Sequence, residues 1–266
     1  MRIGFFDSGI GGVSIAQAAM KNLPQYSYVY FADDTHMPYG NKNLESLYQL
    51  TTNALETLFA KDCRLVILAC NSASSVLPRI QQEWLPKRHP DRKVLGVIRP
   101  TAEHMGALPA DAKVFVLATP ITVESQSYTR ELHKINMTCD FNSVACPRLA
   151  EAVEYSVDHS KDPTIYSLCE KYLSTVPKNT QVEMYTGCTH YAFISDMITK
   201  LRPNAVVHNQ SQIVAEQLVD YLKRHSEVDL SLTKQTGIQP EILCDSGEPR
   251  YILKLQKTFT HNFSSV

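Results

Sequence analysis

The sequence predicts an α/β protein made of two similar α/β domains with mainly parallel sheets and a shared active-site cleft. Short continuous apolar runs, such as Leu65-Val66-Ile67-Leu68-Ala69, alternate along the chain with longer stretches of helical period. That is the pattern of strands buried on both faces and joined by helical crossovers. The ends of these runs also repeat. Asp7-Ser8-Gly9 is echoed by Ala118-Thr119-Pro120, and Cys70-Asn71-Ser72 by Cys188-Thr189-His190. Ser8 and Thr119 lie 111 positions apart, and Cys70 and Cys188 lie 118 apart. Two halves that face each other would put one thiol on each side of a single cleft.

The elements follow in order. Residues 2–6 read as a strand, and Asp7-Ser8-Gly9-Ile10-Gly11-Gly12 as a loop opening a helix to about residue 21. The loop lacks the spacing of a dinucleotide or P-loop motif. Close approach of its backbone to a small anion at the helix N-terminus is the favoured reading over a turn that merely permits tight packing. A strand over 28–32 leads into the polar stretch Asp33 to Gly40, long enough to fold over a site. Leu47, Leu50, Ala54, Leu55 and Leu58 give helical period to 44–61. After the Cys70 strand, Asn71 and Ser72 suit a helix cap, with the helix itself over 73–84. A strand over 94–97 and a helix over 101–108 come next, then a strand over 113–118 and a helix running from Thr119-Pro120 to about 135. Residues 138–144 read as a strand, Pro147 as the start of a helix, 163–174 as a helix and 182–187 as the Cys188 strand. Residues 205–208 form a strand, 211–223 a helix, 226–239 a loop, 241–243 a last strand and 248–257 a last helix before a loose tail.

Several function classes are disfavoured by composition. The chain has 266 residues, 44% hydrophobic and 20% charged, with a formal net charge of −1. That suits a globular protein with a sizeable core and supplies no field for nucleic acid or an anionic membrane. No apolar stretch approaches the ~18–20 residues that span a bilayer, and the first strand begins where a signal peptide would stand. Seven cysteines at irregular spacing, with neither a C-x-x-C pair nor zinc spacing, imply reduced thiols in a cytoplasmic protein and no metal.

Cys70 and Cys188 are the chemical candidates. Each sits at the carboxyl end of a strand, where open α/β sheets bind ligands, and near a helix N-terminus, which favours a thiolate. Cys63, Cys139 and Cys169 read as structural, whereas Cys146 and Cys244 stand near strand ends without an assigned part. A Cys188–His190 nucleophile and a redox pair are conceivable. Proton transfer suits near-equal halves best, because a racemase treats mirror-image substrates alike and needs one acid/base group on each face. Asp7 beside one thiol and His190 beside the other could tune them. On the helix after Pro147, Glu151 and Glu154 are spaced i, i+3 and share a face. No lysine stands at the centre of a strand-end loop to form a Schiff base, so no cofactor is called for.

Six motifs then carry a family resemblance: D-S-G-x-G-G, D-(x)4-P-Y-G, A-C-N-[ST]-A-S, T-(x)2-T-V, A-C-P-x-(x)4-V-E and G-C-T-H-Y, in that order over nearly the whole chain. Together they resemble glutamate racemase, of the aspartate/glutamate racemase superfamily. The resemblance implies a cofactor-independent isomerase with one α/β domain from both chain ends (1–97 with 209–266) and one from the middle (98–208). It implies Cys70 and Cys188 as catalytic thiols, with Asp7, Glu154 and His190 assisting. It implies substrate contacts from Asp7, Ser8, Pro38, Tyr39, Gly40, Asn71, Ser72, Thr119, Thr122, Thr189 and His190. A small amino acid as partner, D-glutamate supply for peptidoglycan, and a homodimer as common assembly follow from the same resemblance.

The chain departs from the family pattern at Ser72, Ala192, Thr186 and Arg99-Pro100-Thr101, none of which removes a catalytic group. Aspartate or another amino-acid racemase, and a catalytically silent amino-acid-binding protein, remain the alternatives.

Overall fold

The computed structural model describes residues 1–137, 139–234 and 239–260. Among the described residues nine strands form two sheets, and every strand pairing within them is parallel. The first sheet contains β1 (Arg2–Asp7), β2 (Tyr28–Ala32), β3 (Cys63–Leu68) and β4 (Lys93–Gly96). The second contains β5 (Lys113–Ala118), β6 (Asp140–Ala145), β7 (Val182–Gly187) and β8 (Ala205–His208). The chain then returns to the first sheet as β9 (Glu241–Cys244). The strand orders are β4-β3-β1-β2-β9 and β6-β5-β7-β8.

The continuous apolar runs are explained by burial on both faces. Along β1 and β3, alternate residues divide between two cores, with Ile3, Phe5, Leu65 and Ile67 on one side and Phe6, Val66 and Leu68 on the other. In the second sheet Phe115, Leu117 and Met184 face one core, and Val114, Val116 and Tyr185 face the other. A strand whose two faces are both covered needs apolar residues at successive positions. The edge strand β6, Asp-Phe-Asn-Ser-Val-Ala, is largely exposed and correspondingly polar.

Helices cover both sheets, and several are shorter than the periodicity suggests. The expected helix over 73–84 is a succession of short turns: Asn71–Ser74, Leu77–Arg79, a π-helical turn Ile80–Trp84, and Leu85–Arg88. Pro78 and Pro86 each sit in the first turn of a piece, where the absent N–H costs no helical bond. The expected helix to residue 135 splits into Pro120–Glu124 and Ser127–Lys134 at Gln126, whose φ of 52° lies in the left-handed region. The helix expected over 101–108 runs from Ile98 to Met105. The expected loop 226–239 contains the helix Ser226–Ser231, anchored by the fully buried Val228, while 235–238 lie outside the described residues. So do Thr138 in the expected strand 138–144 and the tail 261–266. The last helix extends from Pro249 to Thr260. No helix among the described residues is long and apolar enough to cross a membrane.

Candidate active site

The carboxyl ends of β1, β3, β5 and β7 converge on one cleft, whose empty space including its open mouth is about 610 Å³. Cys70, two residues beyond β3, and Cys188, directly after β7, both line it. Ser8, Pro38, Tyr39, Gly40, Asn71, Ser72, Thr119, Thr189, His190 and Glu154 line it too. Two of the expected substrate contacts stand back from the wall. Asp7 is fully buried behind it, and Thr122 reaches the cleft only through Thr119, its Oγ1 lying 3.0 Å from the Thr119 hydroxyl.

Cys70 is itself the cap of the short helix that follows, so the expected capping role of Asn71 and Ser72 passes to the sulfur. Its Sγ accepts from Ala73 N at 3.5 Å and lies 3.8 Å from Ser8 Oγ. Burial pushes the thiol up to about 12, and the nearby Asp7 carboxyl adds to the shift. The Ala73 amide and the Ser8 hydroxyl oppose it. Cys70 is therefore held as the thiol.

Cys188 has a different setting. Its Sγ lies 3.9 Å from His190 Nδ1, and His190 Nε2 is 2.7 Å from Glu154 Oε2. Burial alone would lower the imidazole, but its bonds to Cys188 and Glu154 outweigh that and hold it well above its ordinary value. Burial likewise works against the Glu154 carboxylate, yet His190 and Lys254 draw it down to about 2. Glu154 is further held by Ile10 N at 3.1 Å, Tyr251 OH at 3.1 Å and Lys254 Nζ at 2.8 Å. Its helix neighbour Glu151 lines the cleft but takes no part in this network.

Asp7 accepts from Gly9 N at 2.9 Å and from the Thr189 hydroxyl at 3.0 Å. Its pKa nevertheless rises to about 6, with burial the largest cause and His190 the largest opposing one. The glycine loop is also shaped by packing. A Cβ on Gly9 would meet Glu154 Oε2 at 2.5 Å, and one on Gly11 would meet Thr189 Oγ1 at 2.4 Å. The first half can thus press against Glu154, Thr189 and His190 only where side chains are missing.

A second network lies beside the cleft. Gln210 Nε2 donates to Tyr128 OH at 2.7 Å and Thr101 Oγ1 at 2.8 Å, while Asn71 Nδ2 donates to Gln210 Oε1 at 2.7 Å. Ser72 Oγ lies 2.9 Å from Thr119 Oγ1. Sequence reasoning missed Gln210, Tyr251 and Lys254. The i, i+3 spacing of the last two on the final helix was the available signal. For a cation, Asp33, His36 and Asp245 bring one ligand atom each within 4.8 Å of one another. Asp33 already meets His36 Nδ1 at 2.8 Å and Tyr39 OH at 2.6 Å. The cleft wall carries no lysine among the described residues.

The architecture matches solved amino-acid racemases. Glutamate racemase from Thermus thermophilus in complex with β-chloro-D-alanine superposes with a TM-score of 0.79 at 27% identity, over 98% of this chain and 93% of that one. The Francisella tularensis enzyme in complex with D-glutamate gives 0.81 at 25% identity, over 98% and 94%. Aspartate racemase from Picrophilus torridus shares the fold at a TM-score of 0.57 and 16% identity, over 89% and 96%. Fold and cleft together define an isomerase of the amino-acid racemase class. No protein-family model matches the chain. Among curated proteins, glutamate racemase from Dinoroseobacter shibae is 34% identical over 95% of this chain and 93% of its own length. That from Cereibacter sphaeroides is 35% identical over 95% and 94%. The chain belongs to the glutamate racemase family.

Proposed function

We propose that this protein interconverts L- and D-glutamate without a cofactor, Cys70 and Cys188 acting as the two acid/base groups at the α-carbon. The observation that carries this is the placement of one thiol from each sheet on the wall of a single cleft. One sulfur removes the α-proton as thiolate and the opposite thiol returns a proton to the other face of the carbanion. Cys70 is held protonated by burial, and Cys188 Sγ faces the His190 imidazolium, whose Nδ1 stands 3.9 Å away and can donate to a thiolate there. Glu154 fixes that imidazole, and Asp7 holds Thr189 in place at the cleft wall. Ser8, Asn71, Ser72, Thr119 and Thr189 offer hydroxyl and amide groups to the substrate carboxylates and ammonium, with Pro38, Tyr39 and Gly40 closing the cleft from the β2 side. The catalytic cleft lies between units 1–97 with 209–266 and 98–208. A cytoplasmic enzyme supplying D-glutamate for peptidoglycan is the setting this activity fits, with a homodimer as its assembly.

Proton NMR of L-glutamate, and separately D-glutamate, in D2O with the pure protein and no added cofactor tests the reading. The expected result is loss of the α-proton signal with formation of the other enantiomer. Cys70→Ser and Cys188→Ser should each abolish racemisation while keeping the wild-type circular dichroism. Near wild-type racemisation in either variant would overturn the two-thiol mechanism. Exchange with aspartate and silence with glutamate would keep the chemistry and change the substrate.

A further inference from the structure

Arg148 is the one lysine or arginine on the cleft wall among the described residues. Its guanidinium makes no ion pair or hydrogen bond among them. The residue is exposed, and its φ of 66° lies in the left-handed region that a side chain with a Cβ rarely occupies. The surrounding structure holds this turn firmly. Cys146 N donates to Ala118 O at the end of β5 at 2.8 Å. Tyr191 OH donates to Cys146 O at 3.2 Å, and Tyr172 OH to Pro147 O at 2.6 Å. A strained residue that its neighbours fix so closely, at a ligand cleft, points to a use for its side chain.

The other charged groups on the wall are engaged or of the wrong sign. Glu154 is paired with His190 and Lys254, and the Glu151 carboxyl is no match for a second carboxylate. A dicarboxylic amino acid brings two carboxylates against one ammonium, and the deep wall offers mainly hydroxyls and amides. One cation remains to meet the surplus negative charge. We propose that Arg148 pairs with a carboxylate of the substrate at the cleft mouth and so sets the preference for an anionic over a neutral amino acid. This deepens the glutamate reading and rests on it. Arg148 touches substrate without moving a proton, so it acts on binding and capture rather than on the chemical step.

Arg148→Gly tests this, because glycine accepts the positive φ without strain while the guanidinium is lost with the rest of the side chain. Arg148→Lys keeps the charge. In Arg148→Gly the expected KM for L- and D-glutamate rises about tenfold at unchanged kcat, the reading for an interaction made equally in ground and transition states. Competitive inhibition by the neutral analogue glutamine should be unchanged, and the fall of kcat/KM with added salt should flatten. Arg148→Lys should recover most of the loss. A wild-type KM and salt dependence in Arg148→Gly, or equal weakening of glutamate and glutamine, would overturn the inference. A wild-type protein silent on glutamate in D2O would instead overturn the functional reading beneath it.

Discussion

His190 and Glu154 form a buried pair 2.7 Å apart that ties the Cys188 strand end to the helix Leu149–Tyr155. Glu154 is the hub, because its two oxygens also collect Ile10 N, Tyr251 OH and Lys254 Nζ. Glu154→Gln keeps the shape and removes the charge that holds the imidazole protonated. Steady-state assays should show kcat lower by about tenfold to a hundredfold, in the range of a weakened acid/base relay, with KM little changed. The variant also reads on stability. A carboxylate held at about 2 instead of 4.5 stabilises the fold above pH 4.5, and that contribution is lost as pH falls toward 2. Urea titrations across that window should show a flatter acid limb in Glu154→Gln than in the wild type.

Asp7 has the opposite sign. Its pKa is raised from 3.8 to about 6, chiefly by burial, so the folded state holds a proton that the unfolded chain releases between those values. Folding is favoured below pH 3.8, and that advantage disappears as pH climbs through about 6. A shift of this size corresponds to about 3 kcal/mol at most. Relative to wild type, Asp7→Asn should therefore gain stability on going from pH 4 to pH 7. An unchanged difference between the two proteins at both pH values would show that Asp7 is ionised throughout.

The close approach of the two halves makes Gly11→Ala a sharp probe. The added Cβ would stand 2.4 Å from Thr189 Oγ1 and 2.8 Å from His190 N, and the second of these is backbone that cannot swing aside. Crowding of this kind costs about 1–3 kcal/mol. Thermal unfolding should report that loss, and kcat should fall with it because Thr189 and His190 are displaced together. Gly247→Ala has open space around its Cβ but a φ of +65°, so it serves as a control for backbone strain without a clash.

Strand runs and strand-end cysteines were legible because period and composition encode burial locally. Leu65 to Leu68 must be apolar at every position when both faces of β3 are covered. Helix lengths were less legible. The stretch from Asn71 to Arg88 has helical composition, yet its prolines and a π turn divide it. The packing demand on the glycine loop is hidden for a related reason: Gly9 and Gly11 answer to Glu154 and Thr189, more than 140 positions away, and spacing within the loop carries no trace of them. Asn71 shows the same limit, since its partner Gln210 lies 139 residues on. Even so, the strand-end motifs single out both thiols, His190 and Glu154, and all four line the one cleft.

Lys254 gives the last test, because it ties the final helix to Glu154. Its Nζ donates to Glu154 Oε1 at 2.8 Å and to the Glu154 backbone oxygen at 2.6 Å. The lysine side chain is 36% exposed, so solvent screens part of the pair and the full cost of a broken buried bridge does not apply. Lys254→Met should lower stability by about 1–2 kcal/mol, through the loss of one charge-assisted and one carbonyl bond. Tyr251→Phe removes a second donor from the same Oε1. Two donors sharing one acceptor partly substitute for each other, so the double variant, which leaves Oε1 with neither, should lose more than the sum of the single losses. A double-mutant cycle by urea denaturation measures this. Strict additivity would mean that Tyr251 and Lys254 hold Glu154 independently, and a wild-type stability in Lys254→Met would mean that the final helix is held without this lysine.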